Sequence, residues 1–349
     1  MKIAILTSGG DSSGMNPAIK KFVEHCFAKG YEPYFIYNGL EGLIDGKIKK
    51  ASYKDVGGII YRGGTIIRSS RSKRWFEKEY RKKAFENIKK EKIDLLVILG
   101  GDGSFRALDV FYKEFKVPFM GIPASIDNDL PLNEYMIGVD TALNVIRCAI
   151  DDIRDTASSF NRAFVIETMG RECGYLALVS AVANGAEMCL IPEAPYNLEN
   201  LKKRYLKEIK EGRTYFIAIV AEGLKITDKI KKWFEEEIGF ESRATVLGHI
   251  QRGGSPTVLE RLRAAEFVEI ALDNFDISER SGYENITKEE ISQKIKENQE
   301  EAQKNSSNMP KSNNLASSDK NPKELLNEPM IQEIIKHFSP KRVVIKQKT

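Results

Sequence analysis

Short apolar runs alternate with helical patterns through the first 275 residues. The runs fall at 3–6, 34–37, 95–99, 119–122, 164–166, 188–191, 216–220 and 245–247. They are rich in Ile, Val, Leu and Phe with little alternation, the pattern of strands covered on both faces. Between them the spacing turns helical. Ile19, Phe22, Val23, Cys26 and Phe27 recur at i, i+3, i+4, i+7 and i+8, and Asn16 and Pro17 read as the N-cap and first-turn residues of that helix. Ala142, Val145, Ile146, Ala149, Ile150 and Ile153 repeat the spacing. Strand–helix–strand repetition predicts an α/β fold with mostly parallel sheets and helices on both faces. The number of runs predicts two sheets and two domains, with a boundary between residues 130 and 160.

After Asn274 the pattern stops. Residues 276–325 are rich in Glu, Lys, Asn, Gln and Ser, and Tyr283 is the only aromatic residue between Phe275 and Phe338. The stretch NSSNMPKSNNLASSDKNP has too little apolar surface to offset its ordering entropy and reads as disordered. Residues 324–338 could form a helix and 342–346 a short strand.

Composition narrows the function. The chain of 349 residues carries 54 Lys+Arg against 50 Asp+Glu, a formal charge of +4. That small excess, without a dense basic stripe, argues against nucleic-acid binding. No run reaches transmembrane length, and the start MKIAILTSGG lacks the layout of a signal peptide. The four cysteines are far apart and the chain has three His. A Cys/His metal site and a disulfide framework are therefore not expected, and a cytoplasmic location is.

The candidate chemistry sits just after the apolar runs. Gly9-Gly10-Asp11-Ser12-Ser13-Gly14 follows the first, and Gly100-Gly101-Asp102-Gly103-Ser104 follows the third. Such turns let backbone N–H groups approach phosphate, and a helix start favours negative charge. Neither is a Walker A loop, and NAD kinases and diacylglycerol kinases also carry GGDG. Asp102 stands where a carboxylate can hold a phosphate-bound Mg²⁺. In Pro123-Ala124-Ser125-Ile126-Asp127-Asn128-Asp129, Asp127 could take a proton from an attacking hydroxyl while Asp129 orients it or the metal. Arg71, Arg171, His249 and Arg252 lie near similar turns, where arginine forks can bind phosphate. Ligands of open α/β sheets bind at such strand ends.

Taken together and in order, GGDSSGMN, RGGTIIRSSR, GGDGS, PASIDND, GVDTA, ETMGRECGYLAL, IPE and RATVLGHIQRGGSP resemble the bacterial-type, ATP-dependent 6-phosphofructokinases over about residues 1–275. The resemblance implies two similar three-layer α/β/α domains with the site in their cleft. The implied division is an ATP domain at 1–140, a fructose 6-phosphate domain at 141–275 and a divergent tail at 276–349. It implies transfer of the γ-phosphoryl group of ATP to the 1-hydroxyl of fructose 6-phosphate with Mg²⁺, in a homotetramer. Asp127 would be the general base, with Arg171 also catalytic, and Asp102 would bind the metal. Gly10, Arg71, Ser72, Gly101, Gly103 and Ser104 would hold ATP. Ser125, Ile126, Asp129, Met169, Gly170, Arg171 and Glu222 would line the sugar site. Arg162, Arg243, His249 and Arg252 would bind the sugar phosphate, Arg162 and Arg243 coming from a neighbouring subunit. Lys20, Arg154, Glu187 and Arg213 match the family's effector site.

The departures from that pattern are specific. Ser125 replaces a usual Thr, Arg68 a usual Gly, and Glu260 a usual Asp. Glu24 and Glu211 stand where the effector pattern has basic residues. A pyrophosphate-dependent phosphofructokinase is the alternative enzyme, though such enzymes tend to carry Asp at the position of Gly103 and Lys at that of Ala124. A non-catalytic sensor on the same fold would be expected to have lost Asp127 or Asp102, and both are present.

Overall fold

The computed structural model describes residues 1–131 and 133–281. The residues expected to form a tail helix at 324–338 and a strand at 342–346 lie outside the described residues. The first sheet is built from β1 (Lys2–Thr7), β2 (Glu32–Ile36), β3 (Ile48–Lys50), β4 (Leu95–Gly100) and β5 (Phe119–Pro123), in the order β3-β2-β1-β4-β5. Strands β1, β2, β4 and β5 run parallel, and their apolar runs are fully or nearly fully buried. The short β3 is antiparallel to β2, with Tyr34 opposite Lys50. Three residues, two of them exposed lysines, leave no apolar signal, which is why the sequence pattern misses it.

The connecting helices are α1 (Met15–Ala28), α2 (Gly39–Ile44), α3 (Lys78–Glu91) and α4 (Asp102–Phe115). Helix α1 buries Ile19, Phe22, Val23 and Cys26, the periodic positions. Its start differs from the expectation: Gly14 is the N-cap residue, and no side chain caps the end. Asn16 already lies inside the helix and uses its amide elsewhere. Its Oδ1 accepts from Ile66 N at 2.8 Å, and its Nδ2 donates to Arg62 O and Gly63 O. A loop far along the chain has claimed the polar group that the local pattern assigned to a cap.

Helix α5 (Val139–Phe160) leads from the first sheet to the second. There β6 (Ala163–Thr168), α6 (Tyr175–Asn184), β7 (Met188–Leu190), α7 (Leu198–Lys210), β8 (Phe216–Ala221), α8 (Thr227–Trp233) and β9 (Ser242–Val246) form an all-parallel sheet of order β7-β8-β6-β9. Strand β9 starts three residues before the expected run. It is an edge strand with its middle exposed, so only its apolar end shows in sequence. Helix α9 (Val258–Ser281) runs six residues into the segment read as tail. One core cluster joins Leu96 and Ile98 of the first sheet to Ile146 of α5 and Ile166 and Ile219 of the second. The other face of the second sheet packs Tyr205, Phe216 and Phe234 together, with Tyr205 and Phe216 rings 4.7 Å apart.

Both sheets have a point where the chain turns to opposite sides. From β1 the chain goes to β2 on one side and later to β4 on the other. From β6 it goes to β8 and β7 on one side and later to β9 on the other. Crevices form at such points, beyond the carboxyl ends of the strands.

Candidate active site

The two glycine-rich loops follow β1 and β4, at the first crevice. Ser69 Oγ donates to Gly9 O at 2.8 Å and Thr7 Oγ1 to Arg68 O at 3.0 Å, binding the 65–72 segment to the first loop. Arg68 has φ +59°, the left-handed backbone that favours glycine. The family's usual Gly at this position therefore has a backbone reason. Arg71 is exposed, while Ser72 Oγ accepts from Trp75 N at 3.1 Å.

The glycines differ in what they face. A Cβ on Gly10 would lie 2.3 Å from Arg252 Nη1, and one on Gly100 2.7 Å from Ser104 Oγ. Close packing against Ser104 and the Ser8 carbonyl accounts for Gly100, whereas at Gly10 the neighbour is the tip of the Arg252 side chain. A Cβ on Gly101 would make only ordinary contacts, with Ser125 Cβ at 3.6 Å and Met136 Cε at 4.0 Å, and one on Gly103 would meet nothing within 4 Å. Gly103 sits in the first turn of α4 and is not among the positive-φ residues. Nothing in the fold requires glycine there, and the space above it is open.

Asp127 lies at the end of the β5 loop. It is wholly buried, and neither carboxylate oxygen has a hydrogen-bond partner. Ser125 Oγ accepts from Asp127 N at 3.2 Å, and Ile126 is buried beneath. From the second sheet, Arg171 Nε reaches to 3.1 Å from Asp127 Oδ2, out of line for a hydrogen bond, and Nη1 to 3.7 Å from Asp129. Burial and then the Asp127 charge push the Asp129 carboxyl above its ordinary value. Arg171 opposes that shift, and the Asp102 charge adds to it.

Arg171 belongs to the loop after β6. Gly170 has φ +133° and Arg171 φ +54°, and their successive N–H groups point at one acceptor. Glu222 Oε1 takes both, at 3.2 and 2.9 Å. A Cβ on Gly223 would strike Arg171 O at 2.2 Å, so the two loops touch. Gln251, buried in the turn after β9, accepts from Met169 N at 3.1 Å. Sequence reasoning missed Gln251 and the loop-forming role of Glu222, because neither contact leaves a mark in spacing. In the same turn His249 is exposed, and Arg252 is buried and donates to Asp11 O at 3.2 Å.

Arg162 and Arg243 are not brought to this cluster. Arg162 immediately precedes β6, and Arg243 pairs with Phe164 near the start of that strand. Met169 follows its far end, about 20 Å away at the rise of a strand. Glu241 pairs with both arginines, at 2.8 Å from Arg162 Nε. Among the candidate effector residues, Lys20 pairs with Glu24. Arg213 Nη1 lies 2.7 Å from Glu187, and Arg154 donates to Asn184 O and sits against Tyr215.

A family model described as phosphofructokinase matches residues 2–274. The chain belongs to the phosphofructokinase family. The ATP-dependent 6-phosphofructokinase of Sulfurimonas denitrificans is 62% identical over 272 residues, covering 78% of this chain and 85% of that one. The enzyme of the same name from a Sulfurovum species is 63% identical over 272 residues, with 78% and 83% covered. Among solved structures, phosphofructokinase from Saccharomyces cerevisiae matches with a TM-score of 0.73 and 35% identity, covering 78% of this chain and 42% of that one. The pyrophosphate-dependent phosphofructokinase of Marinobacter aquaeolei, at 20% identity and a TM-score of 0.66 over 78% of this chain and 76% of that one, shares the phosphofructokinase fold.

Proposed function

We propose that this phosphofructokinase transfers the γ-phosphoryl group of ATP to the 1-hydroxyl of fructose 6-phosphate. The observation that carries the reading is Asp127: a wholly buried carboxylate with no hydrogen bond to either oxygen, paired only by charge with the Arg171 guanidinium at 3.1 Å. The Arg171 charge offsets part of the cost of burying that carboxylate, but its hydrogen-bonding capacity is left unmet. A sugar hydroxyl would meet it, and Asp127 would take the hydroxyl proton as the oxygen attacks. Arg171 has the charge to stabilise the transferring group. The open space over Gly103 leaves room for a nucleotide, whereas a carboxylate there would repel its α-phosphate.

Mg²⁺ fits the acidic residues present. Asp102 opens α4 and pairs with Arg106 on its own helix, at 2.7 Å, and its charge raises the Asp129 carboxyl. No cluster of three or more His, Cys, Asp or Glu side chains suited to a metal occurs among the described residues. That suits an ion held mainly by phosphate oxygens and water, with Asp102 and the nearby Asp129 as protein ligands. When bound, the ion would neutralise phosphate charge.

The domain assignment follows the loops: ATP on the first sheet, residues 1–140, and sugar phosphate on the second, residues 141–275. Arg162 and Arg243 would complete the sugar-phosphate site of a neighbouring copy in a homotetramer. No helix among the described residues is long and apolar enough to cross a membrane, and all four cysteines are free; both suit a cytoplasmic enzyme. A coupled assay of purified protein with fructose 6-phosphate, run with ATP and with pyrophosphate at saturating Mg²⁺, tests the reading. Faster turnover with pyrophosphate would overturn it.

A further inference from the structure

Between Asp127 and Asp129 stands a residue whose backbone is in an unfavourable conformation. Asn128 has φ +52° and is almost completely buried. Of the side chains with a Cβ, asparagine is among those that tolerate this region best. Its amide is engaged at both ends. Oδ1 accepts from Met136 N at 3.1 Å, and Nδ2 donates to Glu134 O at 3.2 Å. The carbonyl of Asn128 faces Cys173 Sγ at 3.7 Å.

The segment that holds Asn128 is itself fixed. Ile137 N donates to Pro123 O at 2.9 Å, and Gly138 N donates to the buried Glu260 at 2.7 Å. In an extended chain, residues two apart lie about 6.5 Å from each other. The left-handed turn at 128 bends the chain between the two aspartates, and both carboxylates meet the fork of one residue, Arg171.

We propose that Asn128 is the positioning residue of the catalytic loop. Its strained turn aims the Asp127 carboxylate, and its amide locks that turn to residues 134–136. This rests on the assignment of Asp127 as base. Two properties are required together, tolerance of positive φ and a donor–acceptor pair, and each can be removed separately. Asn128→Gly keeps the turn and deletes the tether. Asn128→Ala deletes the tether and disfavours the turn. Asn128→Asp keeps the acceptor for Met136 N but sets a carboxylate against the Glu134 carbonyl.

The test is steady-state kinetics of the full-length variants with ATP and fructose 6-phosphate, alongside Asp127→Asn and thermal melts. A misaimed reacting group costs rate on the order of 10²-fold. Expected is a kcat loss of about tenfold in Asn128→Gly and Asn128→Asp and about 100-fold in Asn128→Ala, with both KM values within about threefold of wild type. Rate loss that follows only the fraction of folded protein, or that appears in KM and leaves kcat intact, overturns the proposal. Should Asn128→Ala not fold, wild-type kcat in Asn128→Gly and Asn128→Asp overturns it equally. An inactive Asp127→Asn beside fully active Asn128 variants removes the positioning role alone; an active Asp127→Asn removes both.

Discussion

The guanidinium of Arg171, carried on a loop of the second sheet, stands 3.1 Å from the carboxylate of Asp127, carried on a loop of the first. The pair spans the two sheets where phosphoryl transfer is proposed to occur. Asp127→Asn keeps the shape and removes the proton acceptor. Turnover should fall by about 10²–10⁴-fold, the scale of positioned acid–base groups, while fructose 6-phosphate affinity changes much less. Near-normal kcat in this variant would disprove the assignment.

Gly103 tests the donor. Since a Cβ there would touch nothing in the chain, Gly103→Asp should fold with little change in melting temperature. Its carboxylate should lower kcat/KM for ATP at least about tenfold, a penalty of about 1.4 kcal/mol. An unchanged value would show that the nucleotide does not pass over this residue.

Arg162 and Arg243 test assembly. Mixing inactive Asp127→Asn subunits with inactive Arg243→Ala subunits should restore activity, because some hybrid sites contain neither lesion. Absence of recovery despite demonstrated subunit exchange would place the whole site in one chain.

Glu260 tests the scaffold. Its buried carboxylate accepts from Gly138 N, Thr141 N and Thr141 Oγ1 at 2.7–3.2 Å. Glu260→Ala strands those donors at the start of α5, so stability should drop by about 2–4 kcal/mol. Urea melts read it directly. Glu260→Asp, the family's usual residue, should recover part of the loss, and equal melts for all three proteins would contradict the role.

Regulation should be weak. Glu24 takes Lys20, Glu211 lies 3.8 Å from Lys207, and Arg213 is paired with Glu187 and Glu208 at 2.7 Å each. A phosphorylated effector must separate such pairs, each worth about 0–1 kcal/mol when exposed, and also face the added carboxylates. Fructose 6-phosphate saturation curves should shift less than twofold, on the order of 0.4 kcal/mol, with millimolar phosphoenolpyruvate or ADP. A severalfold shift abolished by Arg154→Ala would show a working site.

The interior strands were legible because parallel strands buried on both faces are continuous apolar words, as in β4 and β8. Edge strands were not: β3 is mostly lysine, and β9 exposes its centre. The site motifs were legible because phosphate chemistry calls for glycine turns and carboxylates at strand ends, and the family resemblance ordered them. Their supports were hidden. Asn16 holding residues 62–66, Gln251 holding Met169, and Glu222 taking two N–H groups of the 170–171 loop are contacts between distant segments. Helical or strand periodicity carries no trace of them.

Strand β6 sets a distance that has a consequence for the enzyme in solution. The six residues of β6 separate Arg162, just before the strand, from the 169–171 loop just after it, so under the proposed roles one chain would carry parts of two separate sites. In the proposed assembly, where a neighbour's Arg162 and Arg243 join His249 and Arg252 at the sugar phosphate, a lone subunit would have the base but only part of the grip. Specific activity should then fall on dilution by mass action, and fructose 6-phosphate, bridging two chains, should protect against that loss.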